Sequence, residues 1–182
     1  KSESFNYPTG TVHCKPQNRT AVVEVTSPTT GKKWMDRNLG AERVPTSSMD
    51  DLGFGDLYQW GRGADGHQCR LSGTRGGATS LNQPGHDDFL VIQTSSASDD
   101  WRSPQNNALW QGLGGVNNPC PSGYRIPTNT ELDAERISWS QSNSSSAYAS
   151  NLKLTVNGFR DANSGSNFHS GGIGYYWSSS LN

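Results

Sequence analysis

Any chemistry in this chain has to come from three cysteines, four histidines and scattered carboxylates. His13-Cys14 and His67-Gln68-Cys69 offer the ligand types of a Cys2His2 zinc site, which needs four donors converging tetrahedrally. His13 and Cys14 are neighbours, however, and in an extended segment adjacent side chains point to opposite faces, so one ion could hardly take both. A Cys14–Cys69 disulfide asks only for two facing sulfurs. It is the favoured reading, with zinc as the alternative, and in the chain-entropy description such a link contributes roughly 3–4 kcal/mol. Cys120 is then left over, and sits between Pro119 and Pro121 in a setting that reads as structural rather than activated. An odd thiol in an extracellular chain is free, pairs with another molecule, or has its partner elsewhere.

The carboxylates come in pairs, Asp50-Asp51, Asp87-Asp88 and Asp99-Asp100, among many Asn residues. Oxygen-rich loops of this kind suit calcium. Asp161-x-Asn163-x-Gly165 loosely imitates a calcium loop, but its glycine is out of register and Gly172 stands where the closing Glu belongs. Solvated turns are the simpler reading; a structural calcium stays open without a placed site, and no other cofactor is implied. Gly61-Arg62-Gly63-Ala64-Asp65-Gly66 matches G-x-G-x-x-G, yet a dinucleotide loop must open a helix and the following residues have no helical period. No G-x-S-x-G is present, and the histidines are dispersed through loops. Asn18 and Asn143 begin N-x-[ST] sequons, which matter only in a eukaryotic secretory host.

The elements that would position these residues are mostly strand and loop. Residues 1–18 form an arm or first strand leading to Cys14, and residues 19–182 are read as one domain. Residues 20–26 and 33–39 flank a Ser-Pro-Thr-Thr-Gly turn, which predicts a β-hairpin. Residues 55–60 read as a short strand or one helical turn, and residues 61–98 as a long excursion pinned by Trp101 and Trp110. One helix is well marked. Thr128 is its N-cap and Glu131, three residues on, completes a capping box. Leu132, Glu135, Arg136 and Trp139 then fall on adjacent helical positions. Residues 141–146 read as a Ser/Asn loop, and residues 152–159 and 174–180 as strands.

Composition narrows the function classes. The chain has 182 residues, of which 31% are hydrophobic and 17% charged, with a net charge of -1. Mean hydropathy is -0.76. Disordered chains join low hydrophobicity to high charge and few aromatics, whereas this one carries six Trp, six Tyr and five Phe. A charge near zero with no basic stripe gives no footprint for nucleic acid. No run approaches the ~18 apolar residues of a membrane helix. Trp34, Trp60, Trp101, Trp110 and Trp139 are the expected pins of a sheet core.

Four segments occur in order: Gly31-Lys-Lys-Trp-Met-Asp-Arg-Asn-Leu-Gly-Ala41, Gly55-Asp-Leu-Tyr-Gln-Trp-Gly-Arg62, Asn118-Pro-Cys-Pro-Ser-Gly-Tyr-Arg-Ile-Pro-Thr128 and Gly174-Tyr-Tyr-Trp-Ser-Ser-Ser180. Together they resemble the Fibrobacter succinogenes major paralogous domain, a family of bacterial extracellular domains, over about residues 9–182. Tyr-Arg-Ile-Pro-Thr-x-x-Glu-Leu also resembles the helix entry of formylglycine-generating and related proteins, whose fold is a C-type-lectin variant. The resemblance implies an α+β, C-type-lectin-like fold of short antiparallel strands and long loops with one or two helices. It does not bring the enzymatic activity, because the reactive cysteines of those enzymes have no matching positions.

Family members continue past the Tyr-Trp-Ser segment into strands bearing a further cysteine. The resemblance therefore implies that this chain lacks its carboxyl-terminal strands and with them the natural partner of Cys120; with no signal peptide at Lys1, a chain placed outside the cell is also expected to begin after processing or excision. The resemblance further implies export, a place on the outer cell surface or outside the cell, and a cell-envelope export partner. The leading expectation is a non-catalytic binding or adhesion domain for a protein or glycan. Tyr175, Tyr176 and Trp177 alternate faces, and one face of that trio is the candidate contact. The alternatives are a structural subunit completed by another chain and, third, an enzyme of the formylglycine-generating type.

Overall fold

Backbone pairing is sparse in this chain, and side chains take over much of its work. The computed structural model describes residues 5–92 and 100–181. Residues 1–4 of the arm, residues 93–98 of the excursion and Asp99 lie outside the described residues. The elements run β1 (Glu24–Thr26), β2 (Lys33–Met35), β3 (Thr74–Gly76), β4 (Phe89–Val91), α1 (Asn129–Ile137), α2 (Ser144–Ala149), β5 (Phe159–Arg160) and β6 (Asn167–Phe168). Single 3-10 turns occur at Pro16–Asn18 and Asp51–Gly53. The chain is α+β and loop-rich, with few helices and short strands. None of these helices is long and apolar enough to cross a membrane.

The first hairpin forms where expected, shortened to three pairs with Val25 opposite Trp34. Its turn closes through the Ser27 N–H on the Lys32 carbonyl at 2.8 Å and the Gly31 N–H on Ser27 at 2.9 Å. Gly31 has φ 68°, which costs glycine little. β3 and β4 pair in parallel inside the excursion, which reads from sequence only as a long stretch pinned by Trp101 and Trp110. Phe89, Leu90 and Val91 supply the apolar run, all buried.

Helix α1 begins with the full capping box. The Glu131 N–H donates to the Thr128 hydroxyl oxygen at 3.2 Å, and the Glu131 carboxylate accepts from the Thr128 N–H at 3.0 Å. Trp139 lies beyond the helix end, where the Ser138 hydroxyl donates to the Glu135 carbonyl at 2.6 Å. Glu135 is buried on α1 and accepts from the Trp34 indole N–H at 3.1 Å and from the Thr30 hydroxyl, tying helix to hairpin. Residues 144–149 are helical rather than loop, because Asn143 caps the Ser146 N–H at 2.9 Å.

Three other expectations are corrected. Residues 55–59 form neither strand nor helical turn and Trp60 enters a turn, with Gln59 bonding Leu90 through both ends of its amide (2.9 and 3.0 Å) in place of a ladder. Only the end of the 152–159 segment pairs, as β5 with β6. Residues 174–180 make no ladder beyond an isolated bridge of Gly174 to Gly158. Apart from the Ser179 N–H on the Pro127 carbonyl (2.8 Å), their partners are side chains: Asn157 bonds both the N–H (3.0 Å) and the carbonyl (3.3 Å) of Tyr175.

The core sits in two clusters. Leu90, Trp101 and Leu109 form one. Trp110, Cys120 and Ile126 form the other, with Leu39, Tyr58, Trp60 and Tyr124 packed against it. Of the five expected indole pins, Trp101 and Trp110 are fully buried, while Trp34, Trp60 and Trp139 are half-buried.

Candidate functional site

The disulfide forms between Cys14 and Cys69, with the two Cα atoms 5.3 Å apart. His13 is not a partner in it and packs edge-on against Tyr7 at 5.1 Å. His67 has 0% exposure: its Nδ1 faces Asp65 at 2.7 Å and its Nε2 accepts the Gln59 N–H at 3.0 Å. Burial, reinforced by Arg62 and opposed by Asp65, pulls His67 down to about 4, so the ring is neutral near pH 7. The Gly61–Gly66 turn is organised from within by Arg62. Its guanidinium reaches Asp65 (2.7 Å), Gln59 (3.0 Å) and the carbonyls of His86 and Asp88 (2.8 and 2.9 Å). A turn rather than a helix follows, consistent with a structural role.

Two of the acidic candidates for calcium, Asp50 and Asp161, cap turns. Asp50 accepts from the Thr46 N–H at 2.8 Å and from Arg43 at 3.1 Å. Asp161 accepts from the N–H and hydroxyl of Ser164, both at 2.7 Å, and so closes the turn between β5 and β6. Among the described residues no group of three or more His, Cys, Asp or Glu could hold a metal ion.

A groove of about 1080 Å3 opens beside the second core cluster. Tyr58, Trp60, Cys120, Leu154, Tyr175 and Trp177 are among its walls. The structure divides the Tyr175–Trp177 trio. Tyr175 and Trp177 are 46% and 52% exposed, with the Trp177 indole N–H donating to the Tyr58 carbonyl at 2.8 Å. Tyr176 is half-buried and also lines the groove. Its hydroxyl donates to the Thr155 carbonyl and accepts from the Thr155 N–H, both at 2.7 Å, so it is a brace. Tyr175 rests edge-on against Phe159 at 4.9 Å, which in turn stacks on Phe168 at 5.7 Å.

Two polar groups in this wall were not singled out by sequence reasoning. Asp56 is packed against Gly40, where an added Cβ would meet the Asp56 Cγ at 2.1 Å and where φ is 81°. Among the described residues no donor lies within hydrogen-bonding distance of the Asp56 carboxyl. Burial pushes it up to about 7 against the opposing pull of Arg70 and Lys15. Arg70 does not bond it, because that guanidinium is used on the carbonyls of Gly55 (2.8 Å) and Asn157 (2.9 Å). Burial likewise raises the Tyr58 phenol well above its usual value, and its hydroxyl has no partner among the described residues. The available signal was period two: Asp56, Tyr58 and Trp60 are half-buried at the groove, and Leu57 and Gln59 between them are buried.

Cys120 is 6% exposed, and burial pushes its thiol up to about 12. A thiol so placed is neutral and a poor nucleophile near pH 7. The site can therefore stack, enclose and hydrogen-bond a guest, with a neutral or readily neutralised carboxyl as its polar fixture. Compared with family models, curated proteins and solved structures, the chain matches none.

Proposed function

We propose that this chain is a non-catalytic ligand-binding or adhesion domain of an exported bacterial protein, with the C-type-lectin-like fold of the Fibrobacter succinogenes major paralogous domain that its motifs resemble. The observation that carries the reading is the groove of about 1080 Å3 with Tyr175 and Trp177 half-exposed in its wall. Aromatic faces beside amide and hydroxyl groups suit a protein surface or a glycan, since they give area at little rotamer cost. Loops braced by side-chain bonds are the usual carriers of such recognition.

Other features agree. The Cys14–Cys69 disulfide favours an oxidising location, hence the outer surface or the medium, reached through cell-envelope export machinery. A net charge of -1 favours neither nucleic acid nor an anionic lipid face. The closed Cys120 thiol and the fully engaged His67 favour binding over nucleophilic catalysis.

Glycan and protein arrays probed with the purified chain test the proposal. Specific hits should weaken in Tyr175→Ala and Trp177→Ala, with urea unfolding used to confirm that each variant is folded. Oxygen-dependent conversion of a substrate cysteine to formylglycine would overturn the non-catalytic reading.

A further inference from the structure

Two indoles tie residues 58–60 to residues 177–178. The Trp177 N–H donates to the Tyr58 carbonyl at 2.8 Å, and the Trp60 indole N–H donates to the Ser178 carbonyl at 2.9 Å. Asn157 takes both main-chain groups of Tyr175. A peptide that added as a strand would pair with main-chain groups of this kind, and these are already spent. The two segments offer a guest side chains instead. The rings of Tyr175 and Trp177 are half-exposed, and with them the Asp56 carboxyl and the Tyr58 phenol stand in the groove wall.

Neither of those two polar ends is sealed. Among the described residues, the fully enclosed side-chain N and O atoms without a partner are Asn117 Oδ1 and Trp139 Nε1. The Asp56 carboxyl and the Tyr58 hydroxyl have no partner either but are not enclosed, so solvent reaches both. An ionised carboxyl accepts and cannot donate, and it calls for a guest rich in donors.

Charge restricts that guest further. In the wall Lys32 and Arg125 meet Glu131 (3.1 and 2.7 Å), Lys33 meets Glu24 (3.1 Å), and Arg37 meets Asp36 (2.7 Å). Arg70 and Lys15 already act on Asp56 and would repel a cationic guest, while the ionised Asp56 would repel an anion. A neutral donor meets neither opposition. Sugars join hydroxyl donors to C–H faces that lie against aromatic rings. Tyr175 and Trp177 stand at most about 7 Å apart at Cα, close enough to carry neighbouring sugars of one chain.

We infer that the ligand of this groove is a neutral, linear oligosaccharide, its sugar faces on Tyr175 and Trp177 and its hydroxyls donating to Asp56 and Tyr58. The inference rests on the groove being the ligand site proposed above, and it chooses glycan over protein.

The test sets the 182-residue chain against linear hexasaccharides of three charge classes. The neutral class comprises polymers of glucose, mannose and N-acetylglucosamine; the acidic one is of galacturonic acid and the basic one of glucosamine. A decapeptide of alternating valine and threonine between terminal lysines is the protein arm. Binding is read by the change in tryptophan fluorescence and by calorimetry. The expected result is saturable binding of a neutral hexasaccharide, weakened roughly tenfold or more in Asp56→Asn and in Trp177→Ala, with urea unfolding showing that both variants are folded. Tighter binding of a charged hexasaccharide or of the peptide than of any neutral sugar overturns the inference and leaves the binding reading standing. Neutral binding that keeps its native strength in either variant also overturns it. Silence from the whole panel and from the glycan and protein arrays overturns both.

Discussion

Asp56→Asn should change how stability depends on pH, and the sign can be worked from two groups, Asp56 half-buried in the groove wall and His67 fully buried. In the folded chain Asp56 is raised from 3.8 to about 7. A carboxyl raised in this way contributes stability that is fully present below 3.8 and is lost as pH rises through about 7. At about 1.4 kcal/mol per pH unit, the loss is about 4 kcal/mol, and solvent in the open groove reduces it to about 2–4 kcal/mol. His67 acts in the opposite sense. It is lowered from 6.5 to about 4, so its contribution is present above 6.5 and lost as pH falls through about 4, again about 3 kcal/mol. Between those limits the two slopes offset each other, and the native chain is expected to show a nearly flat profile. Asp56→Asn removes one slope and exposes the other. Urea unfolding followed by tryptophan fluorescence, from about pH 4.5 to about pH 8, reads the difference directly. The variant should gain on the native chain as pH rises and lead by about 2–4 kcal/mol at the alkaline end. Subtracting the two profiles cancels every other titrating group. A difference that stays constant with pH would refute the assignment of a raised Asp56.

Replacing both Cys14 and Cys69 by serine opens a link across 55 residues and should cost about 4 kcal/mol in guanidinium unfolding. Cys120, pushed up to about 12, is ionised in roughly one molecule in ten thousand at about pH 8. Iodoacetamide should therefore leave the native chain unmodified and label it stoichiometrically in guanidinium, as intact mass will show. Tyr176→Phe strands both bonds to Thr155 and should cost about 1–3 kcal/mol with ligand affinity unchanged. Tyr175→Ala should give the reverse pattern, a stability change within about 1 kcal/mol and weaker binding, since that ring is 46% exposed.

The parts of this fold that were legible in the sequence are those governed by neighbours along the chain. The Ser-Pro-Thr-Thr-Gly turn fixes the β1–β2 hairpin, and Thr128 with Glu131 fixes the start of α1. Both need only local bonds. Residues 144–149 were missed because serine has a weak helix preference, and the deciding contact is one side chain, Asn143, at the cap. β3 and β4 were missed because their pairing is parallel and joins residues fifteen apart, with the Thr74-Arg75-Gly76 strand exposed throughout and so without an alternating pattern. At the site, the period-two trio 175–177 was legible as alternation, but which member faces inward was not. That was decided by Thr155, twenty-one residues away. Asp56 was illegible as a site residue for a similar reason: its environment is set by Gly40 and Arg70, neither adjacent to it.

A single physical cause underlies the misread strands. Period-two sequences are expected to pair with other backbones, yet here amides, a phenol and indoles substitute for the missing strand. Gln59 bonds both main-chain groups of Leu90, Asn157 both of Tyr175, and the Tyr176 hydroxyl both of Thr155. The indole N–H groups of Trp60, Trp101 and Trp177 each donate to a distant carbonyl, those of Ser178, Trp60 and Tyr58. A chain with 17% charged residues and many amides can satisfy buried backbone in this way, because neutral amides carry donor and acceptor together and cost less to bury than ions. The device has a geometric limit. A side chain covers one residue's groups and leaves its neighbours bare, whereas a strand covers a run. Residues 176–178 show the limit: Trp60 covers the Ser178 carbonyl, while among the described residues the main-chain groups of Trp177 have no partner.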